Sequence, residues 1–213
     1  MGITIGGKTE STYNANFIHF EISAPEPQME RVVVPLRDGF VNLTPTLSSE
    51  RHFNSRTIKI GLELRSYRSD WPLYWSKMMK DLHGQEVTVT WSGDPNYYYK
   101  GVAQVGPLED HGSTAGVTIT VDAQPFKRTS TSAGAFTASV SGPTATTVAC
   151  TYMRGYPEFI CSTSGITVTL NGETWTLPAG TSEAYGMYFT EGNNVLTFDG
   201  SGTIVVSWEG GSL

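Results

Sequence analysis

Thr57-Ile58-Lys59-Ile60-Gly61-Leu62-Glu63-Leu64 is the stretch on which the reading of the fold turns. Ile58, Ile60, Leu62 and Leu64 point to one side of an extended chain, and Lys59, Gly61 and Glu63 to the other. That two-residue period predicts a strand with one buried face. The period then changes. Trp71, Trp75, Met78, Met79 and Leu82 fall at i, i+4, i+7, i+8 and i+11, a single stripe on a helix of 3.6 residues per turn. Asp70 suits an N-cap, Pro72 is tolerated in the first turn where amides lack partners, and Gly84 suits a left-handed stop. A helix over about 71–83 follows. Its aromatic and methionine stripe belongs to the structural core and clamps the helix onto the sheet's apolar face. At about 25 cal/mol per Å² buried, those side chains contribute several kcal/mol.

Working outward, Glu86–Trp91 reads as a strand, Gly93-Asp94-Pro95-Asn96 as a tight turn, and Tyr97–Val102 and Gly116–Lys127 as further strands. Upstream, Phe17–Ile22 reads as a strand ended by Pro25 and Pro27. Met29–Pro35 reads as another, with a turn at Arg37-Asp38-Gly39 and a resumption through Phe40–Leu43. The composition shifts near residue 129. Residues 1–128 hold thirteen basic against fourteen acidic residues, and residues 129–213 hold Arg154 alone against six acidic ones. Between them Thr129-Ser130-Thr131-Ser132-Ala133-Gly134-Ala135, small and polar, reads as a linker over 129–135. Two domains are therefore expected, 1–128 and 136–213.

The second half reads as successive hairpins. Ile166–Leu170 and Glu173–Leu177 flank Asn171-Gly172, a pair that readily adopts the positive φ angles of a primed turn. Pro178-Ala179-Gly180, Glu191-Gly192-Asn193-Asn194 and Asp199-Gly200-Ser201-Gly202 punctuate the rest, separating strands at Tyr185–Thr190, Val195–Phe198 and Thr203–Trp208. Five or more such strands can close a small sandwich. If Gly155-Tyr156 form a two-residue turn, Cys150 stands opposite Cys161 at a separation a disulfide can span. The other reading is two half-buried thiols.

The chain has 213 residues and a formal net charge of −6, with 16% charged residues and 23 glycines. It is long enough for one large or two small cores, and the composition leans towards an all-β protein. Net acidity disfavours sequence-independent binding to phosphate backbones. The longest apolar runs fall far short of the ~20 residues a spanning helix needs. The first residues carry no secretion signal, so no membrane insertion is expected and cytoplasmic synthesis is.

No residue pattern points to catalysis, a metal or a cofactor. His19, His52, His83 and His111 are scattered without metal-ligand spacing. Glu109-Asp110-His111 reads as a solvated turn, and no nucleophile elbow, phosphate loop or His-Glu-x-x-His occurs. His52-Phe53-Asn54-Ser55-Arg56 fits the His-x-Asn-x-Arg pattern of galectins but lacks the companion Trp-x-x-Glu-x-Arg. Tyr97-Tyr98-Tyr99 alternate faces on a strand, so at most two share a side, and a structural use is expected.

The order of these motifs, from Val34-Pro35-Leu36-Arg37-Asp38-Gly39 through the strand, helix, strand and tyrosine cluster to Gly116–Lys127, resembles the N-terminal belt domain of the distal tail (Dit) proteins of long-tailed phages. The Asn171-Gly172 turn, Leu177–Gly180, Glu191–Phe198 and the closing Trp208-Glu209-Gly210-Gly211-Ser212-Leu213 resemble the galectin-like sandwich of the same family. The resemblance implies a mainly β protein with a barrel or sandwich belt domain, one packed helix and a small galectin-like β-sandwich. It also implies a non-enzymatic virion component of the tail tip or baseplate. There a homo-hexameric ring would join the tail tube to the tail-associated tip protein and the receptor-binding apparatus, leaving a channel for DNA. At about 80 residues the second part leaves no room for an inserted carbohydrate-binding module. The alternative is a carbohydrate-binding β-sandwich, with Trp175, Tyr185 and Tyr188 as sugar contacts.

Overall fold

The computed structural model describes residues 2–36, 38–47, 50–184 and 186–213. The chain is mainly β and divides into two compact units. The first comprises Met1–Asp94 and Tyr99–Pro125, the second Pro95–Tyr98 and Phe126–Leu213.

The first unit contains β1 (Ile3–Ile5), β2 (Lys8–Thr9), β3 (Ala15–Ile22), β4 (Arg31–Val32), β5 (Val41–Asn42), α1 (Thr44–Leu47), β6 (Arg56–Leu64), α2 (Trp71–Leu82) and β7 (Glu86–Trp91). It also holds most of β8 (Tyr97–Asp110) and all of β9 (Ala115–Ala123). An antiparallel sheet runs β2-β1-β7-β8-β9-β6-β3. Ile58, Ile60, Leu62 and Leu64 on β6 are buried, as are Val117, Ile119 and Val121 on β9, so the expected two-residue period marks the core face. Phe20 of the terminal strand β3 stacks on Trp91 of β7, with ring centroids 5.0 Å apart. The sheet thus rolls over its own core and closes through side chains.

Along α2, Trp71, Met78 and Leu82 are buried in this core while Trp75 and Met79 pack half-buried against it. The indole N–H of Trp75 donates to the Gly106 carbonyl at 3.0 Å, and the Val105 amide donates to His83 Nδ1 at 3.1 Å. Both bonds grip the one-residue bulge of β8 between Val105 and Leu108. The helix starts differently from expectation. A 3-10 turn at Arg68–Asp70 leads into it, and Asp70 is already in right-handed helical geometry, so its carboxylate makes no capping bond. At the other end Gly84 takes φ +72 and its amide joins Ala103 O, turning the chain back into the sheet.

The second unit holds Pro95–Tyr98, β10 (Lys127–Thr129), β11 (Gly134–Ser141), β12 (Thr144–Cys161), β13 (Ile166–Leu170), β14 (Glu173–Leu177), β15 (Gly180–Glu183), β16 (Phe189–Asp199) and β17 (Ser201–Ser212). The first half of β12 edges a layer ordered β14-β13-β16-β12. Its second half lies between β15 and β17, and β17 continues to β11. One strand therefore serves both layers, changing over at a bulge between Cys150 and Arg154. Phe159, Ile166, Val168, Phe189, Leu196, Phe198, Ile204 and Val206 fill the space between the layers. Asn171 and Gly172 have φ of 55° and 86°, and Leu170 pairs with Glu173, as the two-residue primed turn requires.

Four expectations are corrected. No turn forms at Gly155-Tyr156, because both residues pair in β12 with β17 and Gly155 also pairs with β16. Cys150 and Cys161 therefore lie far apart along one strand as buried free thiols, and the disulfide is excluded by geometry. Glu191–Asn194 is no break either. The Asn194 amide, buried in β16, accepts from the Thr190 amide at 2.9 Å and donates to Thr190 O at 2.8 Å, carrying the strand through. The stretch 129–135 is not a free linker. Thr129 pairs in β10, Gly134 and Ala135 pair in β11, and the Ala133 amide bonds Trp208 O at 2.7 Å. Finally, of the strand expected over Met29–Pro35 only Arg31–Val32 forms a strand, paired with Val41–Asn42; Arg37 of the expected turn lies outside the described residues.

Candidate assembly surface

The polar side chains that sequence reasoning weighed as candidate sites are mostly committed to structure. Arg56, last of the His-x-Asn-x-Arg pattern, is buried, donates to the Pro125 carbonyl and lies 5.7 Å from the Tyr99 ring. Asn54 Oδ1 accepts from Gln28 Nε2 at 3.0 Å. The pattern is thus split between an inward arginine and an outward amide. His111 and Glu109 sit 3.7 Å apart, both exposed, at the end of β8. Among the described residues no group of three or more His, Cys, Asp or Glu side chains is placed to hold a metal ion. Among the described residues, no helix is long and apolar enough to cross a membrane.

The tyrosine run is divided. Tyr99 is buried in the first unit. In the second, Tyr98 donates to Glu209 at 2.5 Å and Lys127 covers the Tyr97 ring at 4.3 Å. Burial, and then the Glu209 carboxylate, push the Tyr98 phenol well above its ordinary range. Arg128 stacks on Tyr156 at 3.9 Å with Glu209 3.7 Å away, and Arg154 stacks on Tyr188 at 3.9 Å. These arginines are almost fully buried, so they are internal braces of the second unit.

The residues named as sugar contacts fall in different surroundings. Trp175 pairs with the fully buried Val168, which places its ring on the core side of β14, half-buried against the second core. Tyr188 lies under Arg154, and Tyr185 falls outside the described residues. Trp175 and Tyr188 are both half-buried.

What the first unit does expose is a two-stranded arm between β3 and β6. Its backbone ladder runs from Ser23 and Thr57 through Asn54 N–H to Glu26 O (2.8 Å) and Gln28 N–H to His52 O (2.9 Å). It continues through Leu43 N–H to Glu30 O (2.9 Å) and ends in the β4–β5 pair. Described residues from Glu26 to Phe40 are all exposed, among them Met29, Val33, Val34, Leu36 and Phe40. Sequence reasoning took Met29–Pro35 for a strand. The signal against it is the density of prolines (Pro25, Pro27, Pro35), which a paired inner strand does not tolerate.

No family model and no curated protein matches the sequence. Among solved structures, the chain is similar along its whole length to the Dit protein (gp 19.1) of phage SPP1, described as a paradigm of the hub adsorption apparatus in phages infecting Gram-positive hosts. The identity is 17%, the TM-score 0.61, and the match covers 100% of this chain and 99% of that one. A chain of the phage p2 baseplate in its activated conformation aligns over 97% of each chain at 8% identity and a TM-score of 0.48, a likeness too distant to argue from. The first comparison establishes the fold shared with SPP1 Dit.

Proposed function

We propose that this protein is a structural hub of a phage tail tip, a Dit-type part that acts through self-assembly and without bond-making. The observation that carries the reading is the end-to-end correspondence of fold with the SPP1 Dit protein, both units included. The sequence motifs resembling that family, and an exposed apolar arm on the first unit, support it further. In this reading the first units of six copies close into a ring around a channel. That ring joins the tail tube to the tip protein and the receptor-binding apparatus, and the second units offer attachment surfaces. A head-to-tail contact closes into a ring when its rotation divides the circle. Each contact needs on the order of 1,000 Å² or more of buried surface. The net charge of −6 suits a passage along which DNA slides without adhering.

Light scattering on the purified full chain, with electron micrographs of the same sample, tests the reading. A mass of six chains and a six-fold ring with a central hole are expected. A strict monomer at high concentration would remove the ring.

A further inference from the structure

We propose that β11 is an open docking edge of the second unit, and that an extended, uncharged segment of a partner protein joins it as an added strand. The inference rests on the hub reading and names one attachment surface that the second unit would use.

All eight residues of β11 pair with β17 and, among the described residues, with no other strand. In an antiparallel ladder alternate residues turn their N–H and C=O groups away from the partner, so about half of the β11 backbone faces outward along ~27 Å. Such an edge is a template for a further strand, and folded proteins guard it with charge, proline, bulges or short length. Other edges of this chain carry those guards. β2 has two residues and includes Lys8, and β3 carries His19 and Glu21 with a bulge between Phe17 and His19. β14 begins at the exposed Glu173 and is followed by Pro178, and β15 has four residues and ends at the exposed Glu183. Thr144–Cys150 of β12 lies between Pro143 and the bulge after Cys150. β11 has none of these: no charge, proline or bulge occurs from Gly134 to Ser141, and its partner stretch Ser201–Trp208 is uncharged too. The neutral run is long. No Asp, Glu, Lys, Arg or His occurs from Thr129 to Met153, in a chain of which 16% is charged.

The side chains say what fits. Ala135, Thr137, Ser139 and Ser141 are exposed on the outer face. Phe136 and Ala138 point inward but are only half-buried against the second core, with the Phe136 ring 6.3 Å from that of Phe198. A strand set ~4.8 Å beyond β11 brings its inward side chains alongside Phe136 and Ala138, and its outward ones beside Thr137 and Ser139. The occupant is therefore a segment with apolar residues at every second position and small neutral ones between. A charged side chain would lose water there and meet no opposite charge on β11, so neutrality is the complementarity this edge offers. Backbone hydrogen bonds supply the affinity and the alternate side chains the selectivity.

Because the backbone carries the affinity, a simple probe suffices: a blocked octapeptide alternating valine and threonine, titrated into the full chain by calorimetry, with hydrogen exchange followed by mass spectrometry. Saturable binding is expected, with slowed exchange centred on residues 134–141. The same peptide with proline at its two central positions should not bind. Thr137→Lys together with Ser139→Lys, both at exposed positions, should weaken binding about tenfold or more while thermal melts stay unchanged. No binding to the unaltered chain, equal binding by the proline peptide or to the double variant, or protection centred elsewhere overturns the proposal. Light scattering on the same samples reads the assembly separately. Rings without peptide binding leave the hub reading intact, and peptide binding by a strict monomer upholds the docking edge while removing the ring.

Discussion

Gly101 stands in the middle of β8, where a Cβ would lie 2.3 Å from the Asp122 carbonyl oxygen and 2.6 Å from Ala123 Cα. Both are backbone atoms of the paired strand and cannot rotate away. Gly101→Ala is therefore expected to cost about 3 kcal/mol, the upper end of overpacking effects, in a urea titration of the full chain. Gly84 makes the contrast. It has open space around its missing Cβ but a φ of +72, so Gly84→Ala is expected to cost about 1 kcal/mol through backbone strain alone. A larger loss at Gly84 than at Gly101 would contradict the close strand approach. The sequence held the glycines but not this distinction, because what a glycine faces is set by a strand about twenty residues away. The two cysteines teach the same point. Their spacing is consistent with a hairpin, and only the strand partners on both sides of Gly155 reveal that no turn forms at Gly155-Tyr156.

At the scale of the element, α2 is the most legible part of the chain and the most heavily anchored. Met78 is fully buried beneath it, so Met78→Ala is expected to destabilise by about 2–4 kcal/mol, whereas Leu73→Ala, on the outer face, should stay within about 0.5 kcal/mol; chemical denaturation measures both. The helix is also tied to the first turn of the chain. Lys8 Nζ lies 2.7 Å from Asp81, whose carboxyl is held below the ordinary range first by that hydrogen bond, and the Tyr13 hydroxyl donates to Asp81 at 3.4 Å. Burial, followed by the Asp81 charge, pushes the Tyr13 phenol up to about 12. The folded state thus holds the proton more tightly than the unfolded chain, whose tyrosines titrate near 10. Stability from this source is complete below pH 10 and is lost as the pH rises towards 12. Thermal melts across that window should fall for the wild-type chain and fall less steeply for Tyr13→Phe. Equal slopes would remove Tyr13 from the account.

For the whole molecule, charge and assembly give a joint prediction. On the proposed reading, a chain of net charge −6 should leave a labelled duplex unretarded in a mobility assay at about 0.15 M salt. Retention that weakens as salt rises would contradict the passage reading. The amino-acid order by itself determined the β class, the buried face of β6, the stripe of α2 and the Asn171-Gly172 hairpin. Each of these depends on neighbours within a few residues, where periodicity and turn chemistry act directly. Only the tertiary structure decided that Arg56, Arg128 and Arg154 are buried and that Trp175 faces the core. It alone showed that β12 serves two layers and that the apolar stretch at 29–40 leaves the body as an arm. Those outcomes depend on which distant strand supplies the next hydrogen bond. Local sequence states that a residue is apolar or extended, but the partner across the sheet determines whether it ends in the core or in solvent.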